Sequence, residues 1–324
     1  MTILVSGASG FMGSAITRHL LSAGQPVRAM SRSSTRAKTK LAGDADGRRA
    51  LEEGRLTFVE ADVTAPGTLR AAVEGVSAVI QAAQFTGAPV EDPARGLTYD
   101  AVDRAGTINL LAAVREVHEH ANTGDAPRFL YLSGITVSAE AGETWNRAKW
   151  LAEEAIRGSG LSWTIVRASW AFGPDDTALN RILHYSDFLP FVPMFGRGQE
   201  PLTPVFVEDV GSLFALLCEH PERSAGTTFG LGGPDEVTLP QFLQLALEAM
   251  GRHRPILKIP QSVGRLQGAL LQHVPGRPLT PAAVDFVSQG GAMSAEQRRL
   301  LAERFQEFRV TTLREGLSSY LRRK

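Results

Sequence analysis

The sequence predicts an α/β fold, in which a doubly wound parallel sheet is followed by a smaller, mostly helical carboxy-terminal lobe. Short apolar runs alternate with segments of helical spacing through the first two thirds of the 324 residues, as in a sheet covered by helices on both faces. A glycine-rich turn follows the first of these runs directly. From about Gly173 onward, prolines punctuate the chain and strand patterns become sparse.

Seven segments are predicted as strands because they are short and apolar almost throughout, which is typical of strands buried on both faces. They are Thr2 to Ser6, Pro26 to Ser31, Leu56 to Ala61, Ala78 to Ala82, Arg128 to Ser133, Ser162 to Arg167 and Thr227 to Leu231.

Helices are predicted where apolar residues recur at intervals of three and four. They are Gly13 to Ala23, Thr68 to Val73, Thr107 to Val117, Asn146 to Arg157, Leu239 to Met250, Ser262 to Leu271 and Ala295 to Phe305. The polar, basic stretch from Ser31 to Lys40 is predicted as a loop.

Two domains are expected, since a domain averages roughly 150 residues. Residues 1–172 are predicted to form the first, with a returning strand near residues 227–233, and residues 173–324 the second. Because that strand has to rejoin the first sheet, we expect the two parts to be interleaved.

Composition argues against several classes of function. The 34 basic and 34 acidic side chains give a formal net charge of zero, so no basic excess favours nucleic-acid binding. No run approaches the roughly 18 apolar residues of a membrane-spanning helix, and the histidines show no metal-ligand spacing. A single cysteine, Cys218, and an amino terminus without a signal-peptide pattern favour a cytoplasmic protein.

The glycine-rich turn is Gly7-Ala-Ser9-Gly10-Phe11-Met12-Gly13, between a predicted strand and a predicted helix. Glycine permits positive φ and lets backbone N–H groups approach a pyrophosphate, whose charge meets the positive end of the helix. Strand, turn and helix follow one another as in dinucleotide-binding βαβ units. The pattern therefore predicts a dinucleotide site, the alternative being a purely structural turn.

The residues after the second predicted strand indicate which dinucleotide is bound. NAD-selective sites place an acidic residue there, roughly 20 residues after the glycines, to bind the ribose 2′-hydroxyl. This sequence has Ser31 and Arg32 instead, followed by Arg36, Lys38 and Lys40. Because a guanidinium can pair with a phosphate through two hydrogen bonds, Arg32 predicts NADP(H) in preference to NAD(H). The alternative is a solvated basic loop.

Further motifs resemble the extended or atypical branch of the short-chain dehydrogenase/reductase superfamily over nearly the whole chain. The likeness is nearest to the NmrA-like proteins and to the Rossmann-type accessory subunit of respiratory complex I. It rests on the glycine spacing, on Asp103-Arg-Ala-Gly106-Thr-Ile-Asn109, and on residues 167–174, 204–210 and 232–239. This resemblance implies a Rossmann fold, with cofactor contacts from Asp62, Val63, Ala82 and Ala83.

In active members of that superfamily, a serine, a tyrosine and a lysine four residues after the tyrosine act together. The tyrosine is the general acid or base, and the lysine lowers its pKa and binds the nicotinamide ribose. By resemblance, Ser133 and Lys149 are candidate catalytic residues, but Trp145 stands at the tyrosine position. An indole N–H donates hydrogen bonds yet cannot exchange its proton at neutral pH. Alternatively, Ser133 ends a strand, Lys149 is solvated and Trp145 packs over the cofactor.

These observations are compatible with two functions. One is a weak NADP(H)-dependent oxidoreductase acting on a small carbonyl or quinone, with Ser133 polarising the carbonyl and solvent or Glu143 supplying protons. The other is a redox-inert NAD(P)-binding sensor or accessory subunit, which the missing tyrosine favours. A nucleotide-sugar epimerase or dehydratase would share the fold but also needs that tyrosine. Tyr320 has a lysine four residues later, but it is predicted to lie in an exposed tail.

Overall fold

A seven-stranded parallel sheet forms the centre of the computed structural model, which describes residues 2–86, 90–121, 126–140, 142, 144–271, 281, 284 and 290–321. In chain order the strands are β1 (Thr2–Ser6), β2 (Val27–Ser31), β3 (Leu56–Glu60), β4 (Val76–Gln81), β5 (Arg128–Gly134), β6 (Trp163–Ala168), β7 (Ala171–Phe172), β8 (Val192–Phe195), β9 (Pro201–Leu202), β10 (Val205–Phe206), β11 (Thr227–Leu231), β12 (Val237–Thr238) and β13 (Ile256–Ile259).

The central sheet has the order β11-β6-β5-β4-β1-β2-β3, and each of its pairs is parallel. The strand order reverses between β1 and β4, which is where doubly wound sheets bind dinucleotides. The predicted fold class is confirmed, and each of the seven predicted strands lies within two residues of its observed bounds. The return of Thr227–Leu231 to the sheet, beside β6, is also confirmed.

The helices cover both faces of the sheet and continue into the second lobe. They are α1 (Phe11–Ser22), α2 (Ser34–Leu41), α3 (Ala45–Glu52), α4 (Arg70–Val73), α5 (Gly106–Ala121), α6 (Thr144–Arg157), α7 (Thr177–Phe188), α8 (Val207–Glu219), α9 (Leu239–Ala249), α10 (Gln261–Leu271), α11 (Ala295–Arg304) and α12 (Leu313–Tyr320). A π-helical segment, Asp100–Ala105, leads directly into α5.

Alternating side chains of the strands feed two cores, one on each face. In β1, Ile3 and Val5 join the core beneath α1 and α8, whereas Leu4 joins the core beneath α5 and α6. This alternation is the period of an extended strand, and it explains why the strands are apolar throughout.

Helices α1 and α8 pack against each other at close range. A Cβ atom on Gly211 of α8 would lie 2.7 Å from the carbonyl oxygen of Ala15 in α1, so only glycine allows this approach. One turn further along α1, Nε2 of His19 lies 2.9 Å from Oε2 of Glu208. The helix that follows the glycine-rich turn is therefore held in place by a helix from much later in the chain.

The second lobe has a core of its own. It contains buried residues of α7, α9 and α12, together with Phe172 and Val192. Three two-stranded sheets, β7 with β10, β8 with β13 and β9 with β12, connect its pieces. None of the helices in the part of the chain that the structure describes could cross a membrane.

Two sequence expectations are wrong. The basic stretch predicted as a loop forms α2 from residue 34, because the Ser33 hydroxyl accepts a hydrogen bond from the Arg36 N–H and Ala37 and Leu41 are buried one turn apart. Tyr320 does not lie in an exposed tail: it is half-buried and packs on the second core.

Candidate functional site

A cavity of about 410 Å³ opens at the carboxyl ends of the central strands, between the sheet and the second lobe. Its lining is more apolar than polar, and its polar residues come from both lobes. Its lining includes Phe11, Met12, Phe85, Tyr99, Asp103, Ser133, Trp145, Lys149, Trp170, Asp176 and Arg181.

The glycine-rich turn lies directly beside the end of β4. Gly7 has a φ of 65°, and a Cβ atom on it would lie 2.7 Å from the Cα of Ala83. A Cβ on Gly13 would lie 2.2 Å from the carbonyl oxygen of Gly7. Both positions therefore require glycine, which lets the turn pack closely on itself and on the end of β4.

The amino terminus of α1 offers unused hydrogen-bond donors. Its N-cap is Gly10, which has no side chain to accept a bond, and the first turn carries no acidic residue. The first N–H groups of a helix have no partner within the helix, and the helix dipole makes this end positive. Because Phe11 and Met12 of the same turn line the cavity, a diphosphate fits here.

The other predicted cofactor residues follow the neighbouring strands. Ser9 in the glycine-rich turn lies 3.0 Å, hydroxyl to hydroxyl, from Ser31 at the end of β2. Arg32 comes next and is exposed. Arg32 therefore follows directly after the residue that contacts the glycine-rich turn.

Loops after β3 and β4 are fixed by hydrogen bonds from elsewhere. The Asn109 side chain donates to the carbonyl oxygen of Val63 over 2.9 Å, and the Asp62 carboxylate accepts from Thr64. The N–H groups of Ala82 and Ala83 both donate to the Ser6 hydroxyl. These hydrogen bonds tie the loop after β3 to α5 and the loop after β4 to the end of β1.

Lys149 is buried at the floor of the cavity and is not solvated. Its Nζ lies 2.9 Å from Oδ1 of Asp103, which is only 1% exposed. The other carboxylate oxygen of Asp103 accepts a 3.0 Å hydrogen bond from the N–H of Phe85. Burial opposes the charged form of Lys149, but Asp103 more than offsets it and, with Tyr131, holds the pKa of Lys149 above its usual range.

Ser133 borders the same cavity, but its hydroxyl is engaged by a buried carboxylate. It donates a 2.6 Å hydrogen bond to Oε1 of Glu153, which is fully buried. Two guanidinium groups, of Arg157 and Arg167, pair with the other oxygen of Glu153 at 2.6 Å. In this arrangement the hydroxyl proton of Ser133 points at Glu153.

Trp145 lies in the first turn of α6, one helical turn before Lys149, and borders the cavity. A Cβ atom on Gly134 would lie 3.1 Å from the Trp145 ring, so the indole fits because β5 ends in glycine. Glu143, the alternative proton source suggested by the sequence, lies outside the described residues.

Two further ionisable side chains border the cavity without having been predicted. Tyr99 lies just before the π-helical segment that carries Asp103. Asp176 is the N-cap of α7, where it accepts hydrogen bonds from the N–H of Ala178 and the indole of Trp170. Burial raises the pKa of Asp176 to about 6. The sequence offered one signal for Tyr99, its position four residues before Asp103.

Within the described ranges, no group of three or more His, Cys, Asp or Glu side chains could hold a metal ion. The polar groups that line the cavity include the carboxylates of Asp103 and Asp176, the hydroxyls of Tyr99 and Ser133, and the cations of Lys149 and Arg181.

A family model described as NAD(P)H-binding matches residues 7–187. Subunit 9 of the NADH dehydrogenase [ubiquinone] 1 alpha subcomplex of Arabidopsis thaliana is 25% identical over 82% of this chain and 62% of that protein. The divinyl chlorophyllide a 8-vinyl-reductase of Oryza sativa subsp. indica is 29% identical over 81% of this chain and 62% of that protein. The chain thus spans about three fifths of the length of these relatives.

Solved structures share the fold of this chain. A UDP-glucuronic acid 4-epimerase from Bacillus cereus, in complex with UDP-glucuronic acid and NAD, superposes with a TM-score of 0.71 at 19% identity and covers 99% of both chains. A dTDP-glucose 4,6-dehydratase from Bacillus anthracis, in complex with NAD, has a TM-score of 0.69 at 15% identity, covering 99% of this chain and 95% of that one.

Proposed function

Because the chain belongs to the NAD(P)H-binding family, we propose that it binds NADP(H) and reduces a small carbonyl or quinone compound in the cavity beside Lys149. One observation carries the proposal. The uncapped amino terminus of α1 and the buried cation of Lys149 open onto the same cavity at the switch point of the sheet. The family match and the relatives support the resemblance to the short-chain dehydrogenase/reductase superfamily, while the likeness to NmrA-like proteins stays a prediction.

The proposed cofactor site uses the ends of four neighbouring strands. Backbone N–H groups of the turn from Gly7 to Gly13 would hold the diphosphate, with Ser9 beside it. Asp62 and Val63 would border the adenine, and Ala82 and Ala83 the middle of the cofactor. Lys149 would donate to the nicotinamide ribose. The bound nicotinamide would supply or accept hydride, and the chain would orient it and exclude water.

Arg32 supports the preference for NADP(H). It is exposed, it follows the strand whose last residue contacts the glycine-rich turn, and no acidic residue stands at that position. A planar guanidinium there can bind a 2′-phosphate through two hydrogen bonds, whereas a 2′-hydroxyl would gain little from it. NAD(H) remains the weaker alternative ligand.

The lining of the cavity supports an apolar, flat substrate. Phe85, Tyr99, Trp145 and Trp170 contribute aromatic surface, and Arg181 is a cation at the side of the second lobe. A volume of about 410 Å³ suits a nicotinamide ring together with a small ring compound, not a long polymer.

Two measurements test the proposal. Calorimetry with NADPH and NADH should give heat for both and a lower Kd for NADPH. Absorbance should then follow NADPH consumption with a panel of aldehydes and quinones. No heat with either nucleotide would refute the binding site, and binding without consumption of NADPH by any compound would refute the reductase.

A redox-inert dinucleotide-binding protein is the second candidate, because specific contacts favour it. The Ser133 proton points at Glu153, Lys149 is paired with Asp103, and Trp145 cannot exchange a proton. The relatives named as subunits of NADH dehydrogenase suggest a protein partner for such a role. In that case, NADPH would bind without turnover, and a partner would co-purify with the chain.

A further inference from the structure

The proposed reduction needs a proton for the substrate oxygen, and the residues at the superfamily's usual positions do not deliver it. The indole N–H of Trp145 is too weak an acid to transfer its proton, Ser133 donates to Glu153, and Lys149 is paired with Asp103. We infer that Tyr99, from the segment before α5, binds the carbonyl oxygen of the substrate and supplies that proton. This inference rests on the proposed function.

The hydroxyl of Tyr99 has the properties of an unfilled ligand contact. The residue is 7% exposed and lines the cavity. Among the described residues, its buried hydroxyl has no hydrogen-bond partner. A buried polar group without a partner is destabilising, and a carbonyl oxygen that reaches this hydroxyl would relieve that cost.

Neighbouring groups fix the position of the ring. The rings of Tyr99 and Phe85 meet edge to face with centroids 4.9 Å apart. The backbone N–H of Tyr99 donates a 2.7 Å hydrogen bond to Glu91. Tyr99 therefore borders the cavity in a defined orientation, as a proton donor must.

The backbone also places Tyr99 beside the Lys149 pair. Tyr99 precedes Asp103 by four residues, at the start of the π-helical segment. Residues four apart lie on one face of such a helix, and π-helical turns are frequent at functional sites. Asp103 contacts Lys149 directly, so the phenol and the ammonium share one side of the cavity.

The surroundings of the phenol favour its protonated form. Burial, followed by Asp103 and Glu91, raises the pKa of Tyr99 above its usual range, while Lys149 acts in the opposite direction. The phenol therefore stays protonated and is a hydrogen-bond donor, not a base. When its proton leaves, the nearby cation of Lys149 stabilises the phenolate.

The carbonyl carbon receives hydride from the reduced nicotinamide of the proposed function, and the π electrons of the C=O bond move onto oxygen. That oxygen takes the proton of Tyr99, so an O–H bond forms as the phenolic O–H bond breaks. Solvent then returns a proton to the phenolate.

Aldehydes and quinones separate this role from a structural one. Hydride addition to an aldehyde gives a strongly basic alkoxide, whereas addition to a quinone gives a stabilised anion that needs no proton donor. We expect Tyr99→Phe to lower the rate with para-nitrobenzaldehyde about 100-fold or more, as for loss of a general acid. The rate with menadione should change by less than about threefold, and the Kd of NADPH should stay the same. The matched control is Tyr320→Phe, which removes another buried hydroxyl without a described partner, from a residue that does not itself line the cavity.

A second measurement does not depend on turnover. With the oxidised nucleotide NADP⁺ bound, para-nitrobenzaldehyde cannot be reduced, and infrared spectroscopy reports its C=O stretch. A hydrogen bond from Tyr99 lowers this frequency in the unsubstituted protein and in Tyr320→Phe, and the shift should vanish in Tyr99→Phe.

The outcomes distinguish this inference from the proposed function. If Tyr99→Phe reduces the aldehyde at the unsubstituted rate, or if its carbonyl stretch is unchanged, Tyr99 is not the donor while the reductase stands. Equal losses with aldehyde and quinone would also overturn the inference, because they indicate a structural effect. A protein that binds NADPH but reduces neither compound overturns both.

Discussion

The ammonium of Lys149 lies 2.9 Å from the carboxylate of Asp103, and both side chains are almost entirely buried. The two residues come from different elements, α6 and the segment before α5, so this pair joins them across the floor of the cavity. The pair brings no net charge into the cavity, and it keeps the cation in place for a ligand.

Breaking the pair should destabilise the fold. Asp103→Asn leaves a buried ammonium without its counter-charge, which typically costs about 3 to 5 kcal/mol. The free energy of unfolding in urea measures the loss. Removing both charges with Asp103→Asn and Lys149→Met should cost less than the sum of the single changes, and simple additivity would show that the pair contributes nothing.

Gly13→Ala should abolish nucleotide binding. The new Cβ would lie 2.2 Å from the carbonyl oxygen of Gly7, so the turn has to shift away from its present geometry. Calorimetry should show no heat with NADPH. Gly67→Ala is the matched control, because its Cβ would meet nothing within 4 Å and the φ there is not positive; normal binding by Gly13→Ala would contradict the proposed cradle.

Arg32→Ala should weaken NADPH selectively. Loss of a hydrogen-bonded charge pair costs about 1.5 to 3 kcal/mol, or roughly 10- to 150-fold in Kd. NADH should bind unchanged, since it has no 2′-phosphate. Arg49→Ala, which removes an exposed arginine of α3, serves as the control. Equal weakening of both nucleotides would show that Arg32 does not read the phosphate.

Asp176 should make stability fall as pH rises. Burial raises its folded pKa to about 6, above the ordinary aspartate value of 3.8, so the folded state binds a proton more tightly than the unfolded state. The resulting stabilisation is fully present below the unfolded pKa and is lost as pH rises through the folded one. It amounts to roughly 3 kcal/mol.

The variant Asp176→Asn removes this titration. Its free energy of unfolding, measured in urea at several pH values, should rise relative to that of the unsubstituted protein between about pH 4 and pH 7. Parallel curves for the two proteins would show that the Asp176 carboxyl is ionised at an ordinary pKa.

Trp145→Tyr should increase aldehyde reduction about tenfold or more, because it places a phenol one helical turn before Lys149. Trp145→Phe is the control that makes similar room without adding a hydroxyl. If both variants respond alike, the change reflects the size of the cavity and not an added proton donor.

The sheet could be predicted because burial on both faces makes each strand a short apolar run that can be recognised by itself. Thr2–Ser6 and Thr227–Leu231 have the bounds that their apolar runs predict. The glycine-rich turn could also be predicted, since Gly13 is required by a contact with Gly7 in the same turn. The contact with Ala83 that requires glycine at position 7 joins distant parts of the chain. The boundary between the lobes, the cytoplasmic location and the choice of nucleotide stay predictions.

The chemistry of the cavity was less accessible, because it depends on approaches between distant elements. The pairing of Asp103 with Lys149 and the placement of Asp176 beside Trp170 follow only from the packed structure. The direction in which Ser133 points along β5 determines its hydrogen-bond partner. It lies two residues after Tyr131 and therefore faces α6, where Glu153 accepts its proton. The alternation along β5 could be predicted from the sequence, but the position of Glu153 beside Ser133 could not.

The close packing of α8 on α1 has a practical consequence for anyone who wishes to isolate the nucleotide-binding half. A fragment cut at residue 187 would lose Gly211 and its helix, and it would also lose β11 from the margin of the sheet. The side of α1 that packs on α8 would be exposed to solvent. β6 would become an edge strand whose backbone groups could pair with other chains. Such a truncation should aggregate, so the nucleotide-binding half depends on residues that come after it in the chain.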